Sequence, residues 1–127
     1  MTMAGDGPSG AKVTLNVYSG RPDPHWTLMA PEAAELLTKV KALAPAAITA
    51  APNDNLGYRG FEVEVPGREA DGPIVVGGGF VTLGKPGARR SYVDAGRGVE
   101  SWLADRAGGH IDASTLKYVT DTIAKAR

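Results

Sequence analysis

Three separated stretches of this chain alternate apolar with polar residues, and no other feature of the sequence constrains the fold as strongly. A period of two is typical of a β-strand with one buried face. The stretches lie at residues 13–17, 61–65 and 74–83, and a shorter fourth strand is predicted at 89–93. The last three strands are separated by short segments rich in glycine and proline, so they are predicted to form an antiparallel meander.

Helical periodicity marks three other segments. Between residues 31 and 44, apolar residues recur every three or four positions, which predicts a helix with one buried face. Asp94 is predicted to cap a second helix that the glycines at 108–109 close, and a third helix begins near Asp112 or Ser114. The order β-α-β-β-β-α-α predicts an α+β fold. In it, a roughly four-stranded, mainly antiparallel sheet carries about three helices on one face.

Length and composition indicate one folded domain with a short tail. A chain of 127 residues buries enough surface to form one core. Residues 1–11 are small, polar and glycine-rich, so we expect a disordered N-terminal tail before an α+β domain at 12–127. The N-terminus lacks the basic and apolar regions of a signal peptide, and no apolar run approaches membrane-spanning length. The expected location is therefore the cytoplasm.

The charge balance and the lack of cysteine exclude several classes of function. Fourteen acidic and fourteen basic residues cancel, so no overall field favours nucleic acid or an acidic membrane surface. Without cysteine there is no disulfide, no thiolate chemistry and no cysteine-ligated zinc. We therefore expect neither nucleic acid nor membrane as a partner, and no cofactor is predicted.

One segment approximates a phosphate-binding loop. Residues 79–85 space two glycines and a lysine as in that loop, but the next residue is Pro86 instead of a hydroxyl residue that would hold magnesium. Proline also blocks the helix that should follow. A Gly-x-Ser-x-Gly motif is missing as well, so no catalytic residue is predicted.

A glycine triplet at 77–79 interrupts the third predicted strand. Glycines inside a strand indicate a bulge or a close approach of another group to the backbone. That group is either a tryptophan or helix packed flat on the strand, or the backbone of a bound ligand. Gly78, at the centre, is the candidate contact.

The two histidines, His25 and His110, each lie two residues from an aspartate, Asp23 or Asp112. These four side chains could hold a divalent cation if the fold brings them together, although neither histidine has a partner at helical metal-site spacing. In another alternative, His25 acts with Asp23 as a general base in a small hydrolase or isomerase.

Arginines are the remaining candidates for chemistry, at positions 21, 89, 90 and 97. Arg97 lies between two glycines near a predicted helix N-terminus, where backbone N–H groups also favour anions. Arg21 is followed by prolines that restrict the backbone and so reduce the entropy lost on binding. A fixed arginine suits a carboxylate, a phosphate or a peptide carbonyl. For Arg21, a salt bridge within the fold is the competing interpretation.

The first strand leads directly into the segment 19–26, which reads S-G-R-P-D-P-H-W. Its prolines force extended backbone, Asp23 is suited to capping a turn, and Trp26 and Leu28 are predicted to enter the core and anchor the first helix. The same segment is a predicted binding surface. The candidate binding residues are Arg21, Asp23, His25, Trp26, Gly78 and Arg97.

Residues 16–28, N-V-Y-S-G-R-P-D-P-H-W-T-L, resemble a signature of small bacterial proteins, N-V-(F/Y)-S-G-R-P-N-P-x-W-x-L, which a helix follows. The resemblance covers about a tenth of the chain. Asp23 departs from the signature, where asparagine is expected, and adds a charge. Proteins with this signature are similar to the small peptide-binding proteins of crocagin-type ribosomal peptide pathways. That resemblance implies a non-catalytic role in presenting a precursor peptide to tailoring enzymes.

The sequence therefore predicts a peptide- or protein-binding accessory module rather than an enzyme. A peptide is expected to add to an exposed strand, while Arg21, Trp26 and Arg97 supply selectivity. Because a free sheet edge also pairs with a second copy of the same chain, a homodimer is a further expected partner.

Overall fold

One antiparallel sheet of seven strands and three α-helices make up the described part of the chain. In this computed structural model that part comprises residues 10–17, 23–47, 58–65, 72–84 and 88–126. None of its helices combines the length and the apolar character needed to cross a membrane. The strands are β1 (Ala11–Asn16), β2 (His25–Leu28), β3 (Ala44–Pro45), β4 (Gly60–Glu64), β5 (Ile74–Gly77), β6 (Phe80–Leu83) and β7 (Arg90–Val93). The helices are α1 (Ala30–Lys41), α2 (Gly98–Asp105) and α3 (Ala113–Ala126).

The predicted α+β class, antiparallel sheet and three helices are confirmed, but the predicted count of about four strands is wrong. β2 and β3 are additional strands. A further one arises because the predicted strand 74–83 is a hairpin: Gly78 and Gly79 have φ of 66° and 87°. Two successive residues with positive φ form the tight turn that matches the twist of paired strands. Most of the predicted tail, residues 1–9, lies outside the described residues, and Ala11 begins β1.

Helix α1 connects the two edges of the sheet. The spatial order is β2-β1-β4-β5-β6-β7-β3, so β2 and β3 are the outermost strands. Seven strands place the edges roughly 29 Å apart. The 12 residues of α1 cover about 18 Å. With three non-helical residues left to complete the connection, α1 has to cross the sheet rather than run along one strand.

The core lies between the sheet and its helices. Leu15, Phe61 and Val76 stand opposite one another on β1, β4 and β5, and all three are fully buried. Leu36 of α1 and Leu103 of α2 belong to the same cluster of buried side chains. Because strand residues alternate between faces, the other face of the sheet carries the polar set of β1 and β4. This alternation is the pattern that the sequence predicted.

The acidic cap predicted at Asp94 forms, and a second acidic cap forms at Asp112, near which the third helix is predicted to begin. The Oδ1 and Oδ2 atoms of Asp94 accept the N–H groups of Val99 and Glu100 at 2.9 and 3.1 Å. At the start of α3, Oδ2 of Asp112 accepts the N–H of Thr115 at 3.0 Å. Carboxylates satisfy N–H groups that have no partner in the first turn and interact favourably with the helix dipole. These contacts fix where α2 and α3 begin.

Candidate functional site

The carboxylate of Asp23 ties the segment before β2 to the rest of the sheet. Its Oδ1 accepts the N–H of Val17 at 3.0 Å, and its Oδ2 lies 3.6 Å from Nη2 of Arg59. The backbone N–H of Arg59 in turn donates to the carbonyl of Asn16 at 2.7 Å. Both oxygens of Asp23 therefore have partners within the fold. Arg21, the neighbouring candidate, lies outside the described residues and stays a prediction.

The indole ring of Trp26 packs between two other aromatic rings. The side chain is buried, and its ring centroid lies 6.5 Å from that of Phe61 in an edge-to-face arrangement. The imidazole of His110 stacks on the indole at 5.4 Å, with the two planes 10° apart. Within the described residues, the indole Nε1 has no hydrogen-bond acceptor. Trp26 is thus a core anchor for β2, as one of the two interpretations predicted, and its ring is covered.

The outer edge of β2 presents backbone groups that no described residue pairs with. The carbonyl of Pro24 accepts the N–H of Leu15 at 3.0 Å, which fixes the phase of the β1–β2 ladder. Hydrogen-bonded and non-hydrogen-bonded pairs alternate in an antiparallel ladder. The N–H and C=O groups of His25 and Thr27 therefore point away from β1, and no described residue bonds to them. Both side chains are also exposed.

The opposite edge of the sheet differs in kind. There β3 has two residues, and one of them is Pro45, which has no N–H to offer. A short edge strand that contains proline resists the addition of another strand. Between the two edges in the described part of the chain, β2 is the one that can accept an extended segment.

Gly78 lies at the tip of the β5–β6 hairpin and not at a close contact. A Cβ atom on Gly78 would meet no heavy atom within 4 Å. The predicted close approach occurs instead at Gly77, where a Cβ atom would lie 3.0 Å from the carbonyl oxygen of Arg59. The group that approaches this glycine is therefore the backbone before β4.

Replacing Gly78 with asparagine should change the free energy of unfolding by less than about 0.5 kcal/mol, because Asn-Gly is a preferred pair for this turn. Replacing Gly78 with valine should cost about 1 to 2 kcal/mol, since a β-branched residue tolerates positive φ poorly. Urea denaturation of both variants measures the difference. Equal losses of unfolding free energy in the two variants would show that any side chain at position 78 is sterically excluded. That result would contradict the open position of Gly78 at the hairpin tip.

Arg97 faces a buried carboxylate at the start of α2. Its Nη1 lies 3.5 Å from Oε1 of Glu100, a residue that is 0% exposed. The hydroxyl of Tyr58 donates to the other oxygen, Oε2. With φ of 55°, Arg97 is the one non-glycine residue with positive φ among those described. That conformation costs about 1 to 2 kcal/mol, and the ion pair to an otherwise uncompensated carboxylate offsets it. Arg97, predicted as an anion-binding residue, therefore forms a salt bridge within the fold.

The electrostatics of this network follow from its burial. Burial raises the pKa of the Glu100 carboxyl above its ordinary value, although the hydrogen bond from Tyr58 and the charge of Arg97 act in the opposite direction. Burial and the nearby Glu100 also raise the pKa of the Tyr58 phenol, which keeps it a hydrogen-bond donor. The hydroxyl of Tyr118 accepts the N–H of Tyr58 at 3.2 Å. The network thus joins α2 and α3 to the segment before β4.

Sequence reasoning missed Glu100, although a signal was present. Glu100 shares a helical face with Leu103 and Ala104, three and four positions later, and both are buried. A carboxylate inside an apolar stripe indicates a buried charge. Its partner Tyr58 is separated by 42 positions and carries no local signal of that contact.

The four side chains considered for a divalent cation serve separate purposes. His25 is exposed on β2, whereas His110 stacks on the core. Hydrogen bonds from the hydroxyls of Ser114 and Thr115 hold the pKa of Asp112 below its ordinary value, in keeping with a charged helix cap. Within the described ranges, no three histidine or acidic side chains are grouped to hold a metal ion.

No family model matches the chain, and neither a curated protein nor a solved structure matches it.

Proposed function

We propose that this chain is a non-catalytic module that binds an extended segment of a peptide or protein along the outer edge of β2. The observation that carries this proposal is the row of outward N–H and C=O groups at His25 and Thr27. An added strand takes its affinity from such backbone hydrogen bonds and its selectivity from alternate side chains.

The edge is held in its binding geometry before any ligand arrives. Trp26 and Leu28 are buried and alternate with the two exposed residues of β2, while Asp23 fixes the segment that enters the strand. A preformed edge loses little conformational entropy on binding. Met29 follows directly and is 67% exposed, so it offers apolar contact area at the end of the edge.

The sequence signature favours one class of ligand. Residues 16–28 include the whole of β2, and proteins with a similar signature imply a ribosomally made precursor peptide as the partner. Short peptides encoded beside the gene are therefore the first ligands to test, followed by peptides selected from a random display library.

Thr27→Pro should weaken peptide binding by at least about tenfold, because it removes an outward N–H and places a ring where the added strand would lie. The ladder to β1 should persist, since the N–H of Thr27 takes no part in it. Thr27→Ala is the matched control and should change the affinity by less than about threefold. Isothermal titration calorimetry measures all three proteins.

Circular dichroism and thermal unfolding test whether both variants remain folded. Peptide binding that survives Thr27→Pro would contradict the proposal, and so would the failure of both peptide sources to give a ligand. The same variants test pairing with a second copy of the chain. A dimer that becomes a monomer in Thr27→Pro would assign the edge of β2 to self-association instead.

A further inference from the structure

Two of the five arginines that the structure describes have no acidic partner among the described residues. Arg59, Arg97 and Arg106 each lie 3.4 to 3.6 Å from a carboxylate oxygen. Arg89 and Arg90 form no ion pair with any described residue, and both are exposed. Two adjacent guanidinium groups without a counter-charge favour the approach of an anion.

These two arginines line a groove at the β3 edge of the sheet, the edge opposite β2. The groove has a volume of about 200 Å³. That is slightly more than the roughly 150 Å³ of an apolar cavity that holds benzene. No acidic side chain contributes to its lining. The other lining residues are Pro45, Ala46, Ala47, Ser91 and Tyr92.

The groove exists because β3 is short. β3 pairs with Val93 and Tyr92, and the N–H of Ala46 donates to the carbonyl of Ser91 at 2.9 Å. β7 continues beyond its pairing with β3 as far as Arg90, its first residue, and Arg89 directly precedes β7. Both arginines border the groove.

We propose that this groove binds a small organic carboxylate. The carboxylate would lie between the guanidinium groups of Arg89 and Arg90, whose planar forks match its two oxygens. The apolar body would pack against Pro45, Ala46 and the ring of Tyr92. A free small acid and the C-terminal residue of a peptide present the same chemistry. This site is independent of the proposed function, since it lies at the other edge of the sheet.

Titration of ¹⁵N-labelled protein with benzoate tests the site. Binding should be at least about tenfold weaker in a variant that combines Arg89→Gln with Arg90→Gln, because two charge-assisted hydrogen-bonding groups are lost. Lys125→Gln, which removes an exposed charge on α3, is the control and should bind as the unaltered chain does. The expected chemical-shift changes are at the amides of Ala46, Ala47, Ser91 and Tyr92.

Several results would overturn this proposal. They are an absence of shifts up to about 50 mM benzoate, equal binding of neutral benzamide, and unchanged binding by the double arginine variant. Inorganic phosphate that binds as well as benzoate would also overturn it, since the groove would then respond to charge alone.

Tighter binding of a tripeptide ending in phenylalanine, lost when its C-terminus is amidated, would support the site with a peptide source. Tighter binding of benzoate would support it with a free acid as the source. Thr27→Pro should leave benzoate binding unchanged, which separates this test from that of the β2 edge.

Discussion

Replacing Trp26 with alanine should lower the free energy of unfolding by about 3 to 5 kcal/mol. The side chain is 5% exposed and packs against Phe61 and His110, so its removal leaves a large cavity at the junction of β2 with the core. A domain of this size has a total stability of about 5 to 15 kcal/mol, which makes the loss a large share of the whole. Urea denaturation followed by far-ultraviolet circular dichroism measures it.

Two further variants keep this prediction testable if Trp26→Ala does not fold. Trp26→Phe retains an aromatic ring in the same pocket and should cost about half as much. His110→Ala removes the exposed ring that covers the indole and should cost less than about 1 kcal/mol. A His110→Ala loss as large as that of Trp26→Ala would contradict the core-anchor role of Trp26. A small loss in every variant would mean that the edge of β2 is not held rigidly.

The elements that local patterns encode could be predicted from the sequence. β1, β4 and α1 each carry their periodicity over at least five residues, and their positions are confirmed. β2 also alternates, but it has four residues directly after two prolines, and this context predicts an extended segment that anchors the first helix rather than a paired strand. β3 has two residues and exists through its pairing with β7. No local pattern encodes a strand of that kind.

The residues of the candidate site likewise divide into roles that the sequence predicts and contacts that depend on the folded structure. A turn-capping role for Asp23 and an anchoring role for Trp26 are predicted from residue type, whereas the contact of Asp23 with Arg59 is not. The partner of Arg97 lies three positions later in the sequence, but the contact of that partner, Glu100, with Tyr58 spans 42 positions and has no local signal. The sequence predicts an exposed strand edge but not which strand has it, because the outward groups of β2, which no described residue pairs with, depend on the phase of the β1–β2 ladder.

Replacing Glu100 with alanine should lower the free energy of unfolding by about 3 to 5 kcal/mol, because breaking a buried pair leaves its partners uncompensated. Arg97 would lose its counter-charge in a left-handed conformation, and the hydroxyl of Tyr58 would lose its acceptor. Glu100→Gln keeps the volume and an oxygen acceptor for Tyr58, so it should cost considerably less. Denaturant unfolding of both variants at neutral pH measures the difference, and equal losses would show that the charge, not the hydrogen bond and volume, dominates.

The pH dependence of Glu100→Gln tests the electrostatic basis of this network. Burial raises the pKa of Glu100 in the folded state above its ordinary value of 4.5, so the folded chain holds this proton more tightly than the unfolded chain. The stabilisation from Glu100 is complete below pH 4.5 and is lost as the pH rises from there through the folded-state pKa. Over that range, the free energy of unfolding of Glu100→Gln should therefore rise relative to that of the unaltered protein. Above the folded-state pKa of Glu100, the difference should be constant. Tyr58, Arg97 and Asp94 face position 100 in both proteins, so their contributions largely cancel in the comparison. A shift in favour of glutamate as the pH rises would mean that Arg97 and Tyr58 outweigh burial and stabilise the charged carboxylate.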